Sequence, residues 1–131
     1  MKVRSYDALT DYDKILELIK QEKLTSLYKK DKNLYKEAMS NSETFVLEDN
    51  GEIIGFARAI SDFTYTTYIM ELVAKDNFDK VEIFKQLLTK LEHLALHGNC
   101  NIICDSEVDE EIYLKLGFKK SGEGLRITYK K

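Results

Sequence analysis

The segment 111–122 constrains the fold more than any other part of the sequence. It reads EIYLKLGFKKSG, in which apolar residues at helical spacing lead up to Gly117. A glycine suits the left-handed conformation that ends a helix, and Phe118 starts a new apolar contact just beyond that cap. The segment therefore predicts a helix that passes directly into a strand, with Tyr113 in the last turns of the helix.

Apolar spacing and turn residues assign helices and strands along the rest of the chain. Asn50-Gly51 predicts a tight hairpin turn, because Asn and Gly both accept positive φ at the central positions. The predicted elements are a strand (1–6), a helix starting at 10–13, a second helix broken near Asp31, strands 44–47, 53–60 and 65–74, a helix running to Ala95 and closed by Gly98, a strand (102–104), a helix (109–116), and strands 118–121 and 125–129. This order predicts a mixed α/β (α+β) sheet in one domain, 1–131.

The element order and the segment Tyr-Leu-Lys-Leu-Gly-Phe resemble the GNAT (Gcn5-related) acyl-CoA N-acyltransferase fold. The Asn50-Gly51 hairpin and Gly98 after the long helix agree with it, and the resemblance covers essentially the whole chain. It implies a mixed central sheet flanked by helices. It also implies transfer of an acyl group from acetyl-CoA to the amine of a small molecule or a peptide.

The same resemblance implies roles for individual residues. Tyr113 is implied as the general acid for the thiolate leaving group, and Glu71 as the carboxylate that binds the amine or relays its proton. The backbone of Leu72 and Val73 is implied as the edge that pairs with pantetheine. Ser106 stands seven residues before Tyr113, where the family often has an asparagine that contacts the cofactor. Tyr113 also fits a core tyrosine, and a carboxylate such as Glu71 is costly to bury unless it is paired.

The family binds the pyrophosphate at the start of its long helix, where free N–H groups attract anions and glycines allow close approach. The family pattern is Arg or Gln, two residues, Gly, one residue, and Gly or Ala. Without a gap it falls on 79–84, which reads DKVEIF. Asp79 replaces the Arg or Gln, Glu82 and Phe84 replace the glycines, and only Ile83 fits. The sequence therefore predicts a degenerate pyrophosphate loop.

This departure leaves two interpretations open. The acidic residues can simply cap the helix and compensate its dipole. Alternatively, an unusual site uses Ile83, Phe84 and Lys85 to contact the cofactor, with part of the acidic charge offset by Lys75 and Lys80. Two unit charges about 5 Å apart repel by about 3 kcal/mol at an effective dielectric of about 20. The acidic start therefore favours weak phosphate binding.

Composition excludes several classes of protein. With 131 residues, 44% apolar and 33% charged, the chain is expected to be an ordinary globular domain. The net charge is −3 and the lysines are dispersed, so no nucleic-acid surface is predicted. No apolar run is long enough to span a membrane, and the start MKVRSY lacks the apolar stretch of a signal peptide. A cytoplasmic location is expected, and a homodimer is compatible with the sequence.

Other reactive residues give weaker signals. Cys100 and Cys104 lie on a predicted strand about 13 Å apart, too far for a disulfide, and their alternatives are strand packing or a nucleophile. His93 and His97 share a helix face, but no third ligand is evident and no metal site is predicted. Gly122-Glu123-Gly124 favours a hairpin turn over a phosphate loop. The rival function is a catalytically silent protein of this fold that binds a small ligand or a protein partner.

Overall fold

The computed structural model describes residues 1–28, 30–96, 100–105, 108–122 and 124–130. The described strands form one five-stranded sheet in which neighbouring strands follow one another in chain order, with helices packed on both faces. The elements are β1 (Lys2–Ser5), α1 (Ala8–Gln21), a 3-10 helix (Thr25–Tyr28), α2 (Lys32–Ser40), β2 (Glu43–Asp49), β3 (Glu52–Ser61), β4 (Thr66–Ala74), α3 (Lys80–Glu92), β5 (Asn101–Cys104) and α4 (Glu110–Lys115). The expected mixed sheet flanked by helices is confirmed.

The first four strands pair antiparallel and the last pair is parallel. Antiparallel neighbours can be joined by short turns, whereas β4 and β5 need a crossover, which α3 provides. The turn between β2 and β3 has positive φ at Asn50 (52°) and Gly51 (80°), as the Asn-Gly pair predicts. Gly117 has φ 100° directly after α4, so the predicted glycine cap of that helix is also confirmed.

Successive residues of each strand point to opposite faces of the sheet, and both faces carry buried apolar side chains. Val46, Phe56 and Val73 lie on the face that α1 and α2 cover, together with Ile15 and Met39 of those helices. The opposite face is covered by α3 and α4, and its buried residues are Phe45, Leu47, Ile54, Ala57, Ala59, Ile69, Ala74, Ile83, Phe84, Leu87, Leu91 and Tyr113. We name these two surfaces the α1–α2 face and the α3 face.

Gly55 sets how closely α3 approaches the sheet. A Cβ atom added to Gly55 would lie 2.7 Å from Cγ2 of Ile83 and 3.0 Å from the carbonyl oxygen of Val73. Ile83 is fully buried. Only glycine lets the strand and the first turns of α3 come this close.

Two helix boundaries differ from the sequence prediction. α1 begins at Ala8, before the expected 10–13, because the Asp7 side chain accepts a hydrogen bond from Leu9 N–H and caps the helix. α3 ends at Glu92, short of the predicted Ala95, and Gly98 lies outside the described residues.

The two predicted C-terminal strands are wrong. The described residues from 118 to 130 form no strand, and Leu125, Ile127 and Tyr129 are largely exposed. Their apolar alternation satisfies the side-chain pattern of a strand. A strand also needs a hydrogen-bonded neighbour, and the described ladder of β5 is with β4.

No helix within the described ranges has the length and apolar character needed to cross a membrane.

Gly55→Ala should lower the free energy of unfolding by about 1–3 kcal/mol, since the added methyl group overpacks the contact with Ile83. Gly124→Ala is the matched control, because a methyl group added there would have none of the described atoms beyond its chain neighbours within 4 Å. Urea denaturation of both variants measures the difference. Equal stability of the two variants would show that α3 does not pack tightly on Gly55.

Candidate active site

The sheet opens between β4 and β5. The two strands pair from Thr66 with Asn101 to Ile69 with Cys104. Beyond that point β4 continues to Ala74 and remains paired with β3, whereas β5 has ended. Within the described residues, the other edge of β4 from Met70 to Ala74 therefore has no strand partner. Unpaired backbone groups at such an edge are available to an extended ligand.

A β-bulge lies where the edge becomes free. Arg58 of β3 pairs with Glu71, but the next residue, Ala59, pairs with Ile69. Met70 is therefore the extra residue of β4. A bulge redirects side chains and backbone groups locally, and bulges are common beside active sites.

Glu71 follows the bulge and points to the α1–α2 face, where it is 8% exposed. Its carboxylate forms a salt bridge with Arg58, with Nη2 2.6 Å from Oε2. The Arg58 Nε–H also donates to it, at 2.8 Å from Oε2, and the Tyr35 hydroxyl donates to Oε1 at 2.6 Å. The negative charge of Glu71 is thus compensated within the protein, as a buried carboxylate requires.

The partners of Glu71 are held in turn. Arg58 Nη1 donates to the Ser42 hydroxyl at 3.1 Å, and its guanidinium lies 5.8 Å from the centre of the Tyr35 ring. Burial, and then the charge and hydrogen bond of Glu71, raise the pKa of Tyr35 far above the ordinary tyrosine value. Tyr35 therefore remains a hydrogen-bond donor at all physiological pH values.

Tyr113 lies on the α3 face, on the opposite side of the sheet from Glu71. Its ring packs edge-on against Phe118, at 5.2 Å between centroids, and at a tilt against Phe84, at 6.2 Å. Burial, with a smaller contribution from nearby Cys104, raises its pKa above the ordinary value. Among the described residues its hydroxyl has no hydrogen-bond partner, yet only the Tyr6 hydroxyl is both fully buried and unpartnered.

The start of α3 is occupied by the protein's own carboxylate. Asp79 is the N-cap residue, and its Oδ1 accepts from Glu82 N–H at 3.2 Å. Upstream, Lys75 pairs with Glu52, so its charge is compensated there. Of the two interpretations left open for this acidic segment, helix capping is observed for Asp79.

The other predicted cofactor residues are dispersed. Ile83 and Phe84 are buried in the core of the α3 face, whereas Lys85 is exposed. Leu72 is half-buried on the α3 face, and the Val73 side chain is buried on the opposite face. Leu72 and Val73 thus offer backbone rather than side chains at the free edge. Ser106 lies outside the described residues.

The sequence interpretation missed Arg58 and Tyr35. Arg58 is the single cation inside the strand Ile53–Ile60, otherwise apolar or small, and such a residue signals a buried partner. Tyr35 carried no comparable signal, because an amphipathic helix contains aromatic residues for packing alone.

In the described part of the chain, the other reactive side chains do not form a second catalytic or metal-binding centre. Both cysteines are free thiols, and burial, with the charge of Asp105, raises the pKa of Cys104 and keeps it protonated. No cluster of metal-ligating side chains occurs in the described part of the chain. His93 ends α3 as its C-cap residue, and His97 is outside the described residues.

This combination of fold and open edge agrees with comparisons to known proteins. Residues 11–118 match the acetyltransferase (GNAT) family, and the chain belongs to that family. It is 32% identical over 77 residues to a Glycine max protein described as histone acetyltransferase TAP1, covering 56% of this chain and 33% of that protein. The chain thus spans about a third of the length of the curated relatives it matches.

The similarity to solved structures of the same fold covers nearly all of the chain. A crystal structure of aminoglycoside 6'-acetyltransferase type Ii is 25% identical, with a TM-score of 0.75, and the match covers 93% of this chain and 85% of that one. An aminoglycoside 6'-N-acetyltransferase complexed with coenzyme A is 22% identical, with a TM-score of 0.75 and coverages of 93% and 87%. Because the coenzyme A complex is only 22% identical to this chain, its similarity shows the fold alone.

Arg58→Met and Glu71→Gln should each lower the free energy of unfolding by about 3 kcal/mol, because each leaves a buried partner uncompensated. The double variant should lose less than the sum, by about 2 kcal/mol, since the two residues interact directly. Urea denaturation of the four proteins gives this coupling. The exposed pair Glu111 and Lys115, 3.6 Å apart, is the control and should show no measurable coupling. Additive losses at Arg58 and Glu71 would contradict the salt bridge.

Proposed function

We propose that the chain is an acetyl-CoA-dependent N-acyltransferase that acts on a small-molecule or peptide amine. The observation that carries the proposal is the free edge of β4 beyond Ile69, with Tyr113 on one face and Glu71 on the other. An acyltransferase must bind an extended thioester between an acid and an incoming amine. The free edge suits the amide groups of pantetheine, which pair with the backbone of Leu72 and Val73.

The proposed reaction is direct transfer. The free amine attacks the thioester carbonyl carbon, a C–N bond forms, and the C–S bond breaks. Tyr113 donates its hydroxyl proton to the departing sulfur, the amine loses a proton to solvent, and Tyr113 regains a proton from solvent. The raised pKa of Tyr113 keeps that proton in place at neutral pH, so the acid is present when the thiolate forms.

The amine side is assigned to Glu71 and the bulge. Arg58 and Tyr35 fix the carboxylate in one orientation, and the charge of this fixed carboxylate orients the amine. A backbone N–H at the Met70 bulge polarises the thioester carbonyl, because the bulge frees it from the regular ladder. Glu71 therefore acts in positioning, and it needs no proton of its own.

The protein fits the pantetheine part of coenzyme A well and its pyrophosphate part poorly. The free edge suits an extended amide chain, and a structural neighbour was solved in complex with coenzyme A, which supports coenzyme A as the acyl carrier. The start of α3 offers no glycine, and Asp79 already occupies a helix N–H. Lys85 is the nearby cation assigned to the phosphates. Affinity for acetyl-CoA should consequently be weaker than a glycine-rich loop would give.

The two free cysteine thiols bear on the cellular location of the protein. The two free thiols, Cys100 and Cys104, favour a reducing compartment, and we assign the protein to the cytoplasm. A homodimer is compatible with this assignment.

Acetyl-CoA should bind the wild-type protein in the micromolar to submillimolar range in a calorimetric titration. Asp79→Asn should tighten binding about tenfold at low salt, because asparagine keeps the N-cap but removes a charge next to the phosphates. The gain should shrink in high salt, since exposed charges are screened.

Asp109→Asn is the matched control, because Asp109 is the N-cap residue of α4 and makes no side-chain cap bond. It should leave acetyl-CoA binding unchanged. Absence of binding at millimolar acetyl-CoA would overturn the proposed activity and favour a catalytically silent protein of this fold.

Tyr113→Phe should lower kcat about a hundredfold while acetyl-CoA affinity and the melting temperature stay unchanged, since the ring still packs against Phe84 and Phe118. The wild-type rate should not fall on the alkaline side before about pH 10, because the pKa of Tyr113 lies above its ordinary value. Tyr65→Phe, at a site 71% exposed, is the control. An unchanged kcat in Tyr113→Phe would refute the acid assignment.

A further inference from the structure

Three apolar side chains lie in line across the sheet, and none of the described helices packs on them. Ile60 of β3 pairs in register with Tyr68 of β4, and Tyr68 pairs with Ile103 of β5. Residues in register share a face of the sheet. Ile60 is 55% and Ile103 45% exposed, and Tyr68 is half-buried. We call these three residues the apolar row, and at the usual strand spacing it is about 10 Å wide.

The apolar row lies on the α1–α2 face, next to the proposed amine site. Ile60 is two residues from Arg58 on β3, so both side chains point to the same face. Arg58 is in register with Glu71. On the same face, Val46, Phe56 and Val73 are buried beneath α1 and α2. The face thus changes along its length from covered apolar residues, through the Arg58–Glu71 pair, to uncovered apolar residues.

The position of the row relates it to the transfer reaction. Tyr68 and Ile103 form the pair immediately before Ile69 and Cys104, where the β4–β5 ladder ends. A thioester in the opening would therefore have the apolar row on one side and Glu71 just beyond the Met70 bulge. An acceptor whose amine reaches Glu71 would rest its remaining atoms on the row.

Charge on this face selects among acceptors. A polycationic acceptor gains affinity from several uncompensated carboxylates. The described carboxylates near the row, on or directly after its three strands, each have partners: Glu71 pairs with Arg58, and Asp105, two residues after Ile103, pairs with Arg126. Asp62, two residues after Ile60, accepts hydrogen bonds from three backbone N–H groups. The far end of the row is bordered by the uncharged Thr66 and Asn101 pair and by Asp62, whose carboxylate accepts from the Thr66 N–H and is the one of these three carboxylates without a cation partner among the described residues. The row therefore offers apolar contact and little attraction for additional positive charge.

We propose that the apolar row binds the body of the acceptor, and that the acceptor is a monoamine carrying an alkyl or aryl group. This proposal rests on the proposed acyltransferase function. Contiguous apolar residues left exposed on a folded domain commonly mark a binding surface. The adjacent carboxylate gives that surface one polar end, which matches an amine with a single charged head and an apolar body.

The test is a series of ethylamine, butylamine and hexylamine with acetyl-CoA, because these amines have similar basicity and differ in apolar length. A fully buried methylene group changes affinity about fourfold, so on a half-covered row kcat/KM should rise about twofold per methylene. An aminoglycoside, as a polar polyamine, should be a poorer acceptor than hexylamine. A flat series would overturn the proposal.

Ile60→Ser and Ile103→Ser should each lower kcat/KM for hexylamine about fivefold and leave ethylamine unchanged. Both sites are about half exposed, so the variants should fold. Leu9→Ser is the matched control at an apolar site that is 94% exposed and lies outside the row. An unchanged chain-length dependence in both row variants would overturn the assignment of these residues.

A second readout does not need turnover. Hexylamine added to the protein without acetyl-CoA should shift the methyl NMR signals of Ile60 and Ile103, and 1-propanol at equal concentration should shift them much less. If acetyl-CoA fails to bind but these shifts occur, the acyltransferase function fails while the row remains an amine-binding surface. Sedimentation showing a wild-type dimer that Ile60→Ser dissociates would instead identify the row as an interface between two copies, and would overturn the proposal.

Discussion

The unequal pairing of β4 is the constraint on which the rest of the candidate site depends. β3 follows β4 along almost its whole length, whereas β5 accompanies it only to Ile69. Backbone groups at a strand edge need partners, so the free edge of β4 is suited to an extended amide ligand. The parallel direction of β5 requires the crossover through α3, and the close contact between Gly55 and Ile83 fixes that helix against the sheet. The opening therefore follows from the topology itself.

The buried cluster around Glu71 links this opening to the first half of the chain. Tyr35 comes from α2, Arg58 from β3 and Glu71 from β4, and the three side chains form one hydrogen-bonded group. Because a carboxylate and a guanidinium must remain together once they are removed from water, α2 is held at a fixed position relative to the bulge. The helix α2, which borders the proposed acceptor side, is thus positioned by the same interaction that orients the carboxylate.

Local features were predictable from the sequence, and long-range ones were not. The Asn50-Gly51 turn and the Gly117 cap depend on the conformational preference of one or two residues, so they could be assigned directly. The start of α1 could not be assigned from the sequence. Its cap, Asp7, lies several residues before the buried apolar stripe of the helix, and the apolar residue nearest to it, Leu9, is exposed. The cluster around Glu71 joins residues 13 and 36 positions apart, in a register that the bulge shifts. The C-terminal alternation predicted strands, but pattern alone supplies no partner strand.

The cap of α3 also has a consequence for any anion that reaches this helix. Asp79 is attached to the chain next to the N–H group that it binds, so it acts as a competing ligand at a fixed effective concentration that dilution cannot reduce. An incoming phosphate would meet an occupied site, and its observed affinity would measure an exchange of one anion for another. A glycine-rich loop of the family pattern would carry no such competitor. In this protein the Asp79 carboxylate already binds the helix N-terminus, and the affinity for an added anion depends on how readily that carboxylate is displaced.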